Sequence, residues 1–455
     1  MNPAILQRWR RQGGQALLWF IATAGTCAAV LFAVFNVGQL TSEKARLVNT
    51  ADAAAYSAAL VEARTLNFEA YLNRGIVADE VIIAQVVSLD SWVHYVDQLA
   101  TRIATLTSWI PYVGQVTRAA QQIADRVTTI VDQVGDIAIP VTDMQAYNIL
   151  PLAREAVHAS TYVTMVDIAR QVVAANTTTF GGRSDSAPYI TNAGMAALAK
   201  NAVEWLNFTK QYSDDDRSYA KQVVLDSRDG FSKTRNGSIL DFEIPFVAHG
   251  YKRGGTDLQG YDRWSAYDSY TFGTWDWGGL FHGPGWDDFT LAQGSATASE
   301  NGDDSSGGRW WSTSSHAFSG FHGIPTIRDI ADREALDEDT PNHSLALDFL
   351  IEVAKDDGNL KTSSKVGLGT GNSQQFNVSE NLASGRISAS SKARVYFERP
   401  SIADDSTAAS LLRRDGKKEY GSLYNPYWQA RLIDPSVADK ALFYLGNSAL
   451  IPFTP

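Results

Sequence analysis

Residues 16–38 read ALLWFIATAGTCAAVLFAVFNVG, without one charged side chain. At a rise of about 1.5 Å per residue, a helix of that length crosses a hydrocarbon core about 30 Å thick. Arg8, Arg10 and Arg11 stand ahead of the run, and Glu43, Lys44 and Arg46 follow it. Cations on the leading flank favour keeping that side in the cytoplasm. A cleaved secretory signal has a shorter apolar core, about 7–15 residues, followed by a small-residue exit motif. Here the run is longer, and Gln39-Leu40-Thr41 is a poor exit motif. A buried helix of a soluble domain would not need the arginines. The expectation is a single-pass membrane anchor with the bulk of the chain on the far side.

Outward from this run, no proline occurs between Pro3 and Pro111, and helix formers dominate after Gly38. The spacing predicts that the membrane helix continues as a stalk, with a bend near Gly38 or Gly75. Ala51, Ala54, Ala55, Ala58 and Ala59 recur at intervals of three and four and so share one side. Small side chains on one face let two helix backbones approach closely, within the chain or between chains. Simple helix propensity would also favour alanine.

The run Arg11-Gln12-Gly13-Gly14-Gln15, the apolar helix, and then Asn49-Thr50-Ala51-Asp52-Ala53-Ala54-Ala55 resemble the TadE/TadG-like proteins of bacterial tight-adherence (Tad, or Flp) pilus-assembly systems. Residues 395–400 (VYFERP) and 423–432 (LYNPYWQARL) are similar to the C-terminal part of some large TadG-like chains. Processed, pilin-like members carry a Gly followed by a mature helix with Glu five residues in. A cut between Gly14 and Gln15 puts Trp19 there, which has no carboxylate to offer a neighbouring subunit. The resemblance therefore implies an uncleaved, TadG-like anchor. It also implies partners among other pilus-assembly proteins or copies of the chain itself.

Length suggests two or three domains. The expected layout is a basic tip over 1–15, a transmembrane helix over 16–38, a helical stalk and bundle over 39–229, and a β-rich head over 230–455. Val116, Ala120, Ile123, Val127, Ile130 and Val134 form an apolar stripe expected to face a core. Residues 151–175 repeat that pattern, and 187–212 are read as a further helix. From Asp229-Gly230 onward, glycines, aromatics and alternation replace the alanine-rich helices; 238–248, 345–353 and 387–397 read as half-buried strands. Residues 294–308 (GSATASENGDDSSGG) read as a flexible acidic loop, and 435–445 as a last helix. The fold class expected is α+β.

Chemistry is sparsely signalled. A net charge of -11 argues against nucleic-acid binding. The single cysteine, Cys27, lies in the apolar run, so neither a disulfide within the chain nor a Cys-based zinc site can form. His249, His282, His316 and His322 share a region with Asp276, Asp287 and Asp288, but no metal-ligand spacing joins them. Asn301, Asp303 and Asp304 lack the spacing of a calcium loop. There is no nucleophile elbow, and the glycine-rich run from Gly367 lacks the ending of a phosphate loop. No enzyme, no metal and no cofactor are expected. Trp264, Trp275, Trp277, Trp286, Trp310 and Trp311 cluster with Tyr261, Tyr267, Tyr270, Phe272, Phe281 and Phe289. They read as core of a glycine-rich β region, or else as an exposed platform for glycan or protein. The leading expectation is a non-enzymatic pilus-assembly or minor pilus component at the inner membrane. The alternative is a tethered adhesin or binding module that uses the tryptophans.

Overall fold

The computed structural model describes residues 15–176, 179–180, 183–184, 187–238, 241–278, 283–303, 314–331, 345–356, 386–398 and 421–448. The fold is α+β, organised along one helix. Helix α1, Gln15–Thr107, is 93 residues long and runs through both Gly38 and Gly75 without a break in its helical assignment. Its apolar first part, through Phe35, is exposed apart from a half-buried Ala29. It is the one helix among the described residues long and apolar enough to cross a membrane. The stretch from residue 39 to residue 107 then reaches about 100 Å further at helical rise.

A turn at 108–112 reverses the chain. Helix α2, Val113–Asp143, one irregular segment, Met144–Ile149, and helix α3, Leu150–Ala175, then return along α1. Three further helices, α4 (Asn192–Phe208), α5 (Ser218–Ser227) and the single turn α6 (Gly230–Lys233), lead into the β-rich part, and α7 (Val437–Ser448) closes it. Thr191 caps α4 by accepting from the Gly194 N–H at 2.9 Å. The expected helix over 187–212 is thus shorter, because its two ends become strands β3 (Tyr189–Ile190) and β4 (Thr209–Tyr212).

Two sheets sit at successive levels of α1. Nearer the apolar end of α1, β3, β11 (Ala346–Asp356), β12 (Arg386–Phe397) and β13 (Trp428–Ile433) form an antiparallel sheet in the order β13-β12-β11-β3. Every second side chain of β12 from Ile387 to Phe397 is buried, as the alternation predicts. Ala51, Ala54, Ala55, Ala58 and Ala59 have no exposed surface. They share one core with Met165, Ala169 and Val173 of α3 and with Phe349, Ile351, Ala393 and Val395 of the sheet. Asn67 of α1 donates to the Trp428 carbonyl at 2.8 Å and accepts from the Trp428 N–H at 2.9 Å, which fastens the edge strand to the helix.

Farther out, β5 (Phe242–Ile244), β6 (Ala248–Gln259), β7 (Arg263–Asp276), β8 (Gly285–Ala298) and β9 (Ser314–Phe318) form the second sheet, antiparallel except for the parallel β8–β9 pair. The expected strand over 238–248 is confined to β5, because residues 245–247 turn before β6. Two short pairs complete the strands among the described residues, β1 (Thr179–Phe180) with β2 (Arg183–Ser184) and β4 with β10 (Ile327–Ile330). Ile76, Ile83 and Val87 of α1 meet Trp264, Ala296, Phe318 and Phe321 in a second core.

The loop expected over 294–308 begins later than its composition suggested, because Gly294–Ala298 is the buried end of β8. Its small residues serve contact: a Cβ on Gly294 would stand 2.2 Å from the Tyr95 amide nitrogen and 2.3 Å from the Ser91 carbonyl oxygen. Residues 304–308 of that segment lie outside the described residues. The stripe on α2 is also corrected. Val116, Ile123, Val127, Ile130 and Val134 are exposed, while Gly114, Thr128, Gly135, Ile139 and Asp143 face inward. Apart from Ile139 the inner face is small or polar, with Thr128 bonding the Val93 carbonyl of α1 and Gly135 under the Phe318 ring, while the other bulky aliphatic side chains stand outside.

Acidic side chains run through the buried side of α1. Glu62 and Glu80 are fully buried, and burial raises each from its ordinary 4.5 to about 8. Like charges at Glu204 and Asp348 add to the effect at Glu62. A carboxyl that keeps its proton in the fold after the unfolded chain has lost it makes folding take up protons. Stability from this source therefore declines as pH rises from about 4.5 to about 8 and is level above.

Two outcomes follow from this packing. Gly294→Ala must push β8 off a helix backbone that cannot yield, and is expected to cost about 1–3 kcal/mol or more by denaturant unfolding. Glu62→Gln keeps the shape without the titration; it should raise the thermal midpoint at pH 8 by roughly 2–4 °C and flatten its fall between pH 5 and 8. Equal pH slopes in both proteins would remove Glu62 as the source.

Candidate interaction site

The second sheet runs alongside α1 in the outward direction. Trp264, early in β7, donates its indole N–H to Glu80 at 3.2 Å. Tyr270, six residues on, packs with Tyr95 of α1. The far end of β7 thus extends toward the turn at 108–112, and two apolar surfaces share the end of the molecule away from the anchor.

The first surface belongs to the helical hairpin. Leu106, Trp109 and Tyr112 at its tip are exposed, Trp109 at 79% and Tyr112 at 82%. From them the outward stripe of α2 continues through Val113, Val116, Ile123, Val127, Ile130, Val134, Ile137 and Val141, all exposed. A contiguous apolar face on a helix costs free energy in water and is a candidate contact surface. Periodicity made this stripe visible in the sequence; its direction was not visible.

The second surface is the end of the β ribbon. The turn at 245–247 carries Phe246 into a group of rings. Its centroid lies 5.2 Å from Trp275, edge-on, and 6.3 Å from Trp277, stacked. Trp275 meets Trp286 edge-on at 5.2 Å across the strand pair. His249 lies 4.0 Å from the Trp286 ring and bonds the Asp288 carboxylate at 2.7 Å. Trp277 is 73% exposed, and Phe246, Trp286 and Phe289 present surface beside it. A ring cluster with a polar rim is the composition that contact hot spots and sugar-binding platforms use.

The six tryptophans therefore divide. Trp264 is core, with no exposed surface; Trp275, Trp277 and Trp286 gather at the ribbon end; Trp310 and Trp311 lie outside the described residues. Of the acidic loop, Asn301 bridges to Ser319 and Asp303 is held at Ser299, while Asp304 lies outside the described residues. The histidines separate too. His249 is at the ribbon end, His322 bonds Asp143 at 2.6 Å, and His282 lies outside the described residues. His316 stacks on His94, a residue of α1 that the sequence did not bring forward, with ring centroids 6.3 Å apart. The signal that could have found it is a pair of acidic i,i+4 spacings, Asp90-x3-His94 on α1 and Asp132-x3-Asp136 on α2. Burial, a hydrogen bond shared with the neighbouring Asp132 carboxyl and the charges of Asp132 and Asp136 push Asp90 well above the usual carboxylate range. Burial holds His94 below its usual range, which favours the neutral imidazole.

From this division of the tryptophans, Trp264→Ala should cost about 3–5 kcal/mol of stability. Trp277→Ala should stay within about 0.5 kcal/mol of wild type. Chemical unfolding of both variants checks this, and a large loss at Trp277 would make the ribbon end part of the core.

The segments noted for their resemblance meet in the structure. Val395, Tyr396 and Phe397 of β12 pair with Ala430, Gln429 and Trp428 of β13, and Leu423 and Trp428 join the core that holds the alanine face. Arg8, Arg10, Arg11 and Gly14 lie outside the described residues, and Gln15 opens α1. No curated protein and no solved structure matches the chain. Residues 14–61, from the start of the apolar helix through the alanine face, match the family model described as putative Flp pilus-assembly TadE/G-like.

Proposed function

We propose that this chain is a membrane-anchored, non-enzymatic component of a Tad-type pilus-assembly apparatus, or a minor component of the pilus, that works by protein–protein contact. The observation that carries the reading is the family match over 14–61, which spans the apolar helix and the helix face next to it. Arg8, Arg10 and Arg11 favour a cytoplasmic tip at the inner membrane, with the remainder in the periplasm. α1 then acts as a strut that carries the hairpin tip and ribbon end about 100 Å from the bilayer. Contact falls to the outward face of α2, where apolar side chains stand in solvent. Other pilus-assembly proteins, or further copies of this chain, are the occupants that reading supplies.

A second reading rests on a different observation. The exposed rings of Trp277, Trp286 and Phe246 suit a tethered adhesin that holds glycan or protein at the ribbon end.

Ile123→Glu with Ile130→Glu places two charges on the outward face without touching the core. The double variant is expected to accumulate in the inner membrane and to abolish pilus assembly. Normal pili would sink the contact role of α2. Trp277→Ala with Trp286→Ala separates the two readings: pili without adhesion would favour the adhesin, and unchanged adhesion would dismiss it. Mass spectrometry of the N-terminal peptide should recover residues ahead of Gly14 in the membrane fraction, since Trp19 supplies no carboxylate for a pilin-like subunit.

A further inference from the structure

Beneath the outward stripe of α2, three segments far apart in sequence bring nitrogen and oxygen donors together. The imidazole of His94 on α1 directs Nε2 at Asp132 Oδ1 of α2, 3.1 Å away, and stands 3.6 Å from Asp90 Oδ2 one helical turn back. His316 of β9 closes the other side, with Nδ1 3.9 Å from Asp132 Oδ2 and Nε2 3.1 Å from Asp136 Oδ1. One donor atom each from His94, Asp132 and His316 lies within 4.8 Å of the others. Ser314 bonds His94 Nδ1 at 2.6 Å, which orients the ring so that Nε2 faces the carboxylates.

Asp90 supplies an independent observation. It has no exposed surface, and as a carboxylate neither oxygen receives a hydrogen bond. A buried carboxylate without donors needs a proton or a cation. Among the described residues, no lysine or arginine pairs with Asp90, Asp132 or Asp136.

We propose that His94, Asp132 and His316, with the buried Asp90 beside them, form a binding site for a first-row divalent transition-metal cation of the zinc type, and that the bound cation locks α2 onto α1 and β9. Zinc holds nitrogen and oxygen ligands at about 2.0–2.2 Å, so neighbouring donors of a tetrahedral site stand about 3.3–3.5 Å apart. His94 Nε2 already stands 3.1 Å from one Asp132 oxygen and 3.6 Å from Asp90, and His316 Nδ1 stands 3.9 Å from the other Asp132 oxygen, all close to that spacing. Two imidazoles select against calcium and magnesium, which take oxygen ligands. The hydrogen bond from Ser314 to His94 is the outer support that ligating imidazoles usually have. His316 is 25% exposed and Asp136 53% exposed, so a cation can enter from that side. The site lies beneath the exposed stripe, so occupancy would stiffen the face that the proposed contact role uses. Its test does not depend on that role.

The full-length, tag-free chain in detergent, stripped with chelator and dialysed, is titrated with Zn²⁺ by calorimetry, and bound metal is counted by elemental analysis. One equivalent is expected, with a rise in thermal midpoint on loading. His316→Ala and the isosteric Asp132→Asn should each weaken binding on the order of 100-fold, the upper range seen when even outer supports are removed. His249→Ala at the ribbon end should leave it unchanged. Co²⁺ in place of Zn²⁺ should give visible d–d bands without a thiolate charge-transfer band, because the single cysteine lies in the membrane run. If His316→Ala does not fold, by circular dichroism of the metal-free protein, Asp132→Asn decides. Less than stoichiometric uptake by wild type, or uptake that the folded variants retain, would overturn the site.

Discussion

Where β8 crosses α1, the strand offers Gly294 and the helix offers the backbone between Ser91 and Tyr95, with no space for a methyl group between them. The same condition recurs elsewhere in the fold. Gly135 of α2 is covered by the Phe318 ring so closely that a Cβ there would stand 2.3 Å from it. Nearer the apolar end of α1 the five alanines from Ala51 to Ala59 present the same kind of face to α3 and the first sheet. A single long helix has a narrow perimeter. It can serve as the core element for two sheets and two returning helices only if its contacts are made at short distance, with small side chains on one or both sides.

That arrangement puts much of α1 out of water, including polar positions a solvated stalk would have left free. Some are fully satisfied. Asn73 donates to the carbonyls of Leu423 and Arg328 and accepts from Arg154 at 2.8 Å, and Arg154 also donates to the Thr326 carbonyl. Asp268 of β7 receives Arg235, Lys252 and Ser91 together. Such networks fix which residues meet, because a buried polar group that loses its partner costs more than the bond contributes. Glu62 and Asp90 differ: neither carboxylate has a donor. They weaken the fold as charges, so the neutral form of Glu62 and a cation or proton at Asp90 are the physical ways to keep them buried.

The reversal of α2 follows from the same geometry. A helix docked through Gly114, Thr128 and Gly135 has its bulky aliphatic side chains on the opposite side, whatever their periodicity. In a monomer in water this is costly; in an assembly it is a prepared surface. The apolar run at the start of α1, the outward face of α2 and the ribbon end are thus three apolar surfaces with different surroundings. The first has the length and composition for lipid, and the other two lie at the opposite end of the helix.

The amino-acid sequence by itself determined the properties that depend on local composition and period. These are the crossing length of residues 16–38, the helix beyond them, the alternation of β12, and a face of alanines at Ala51 to Ala59; β11, expected to be half-buried, is instead buried on both faces from Phe349 to Lys355 because α4 covers its second side at Leu350. The resemblance at residues 11–59 was legible because it rests on a contiguous stretch. Which way the α2 stripe points, whether Gly294–Ala298 is strand or loop, and which tryptophans are core were decided only in the tertiary structure. Each depends on what lies across from the segment, and that partner comes from a distant part of the chain. Asp90, His94, Asp132 and His316 make the point most plainly. Their spacings along α1 and α2 are ordinary helical spacings, and the reversal at 108–112 and the return of β9 are what bring the four side chains together.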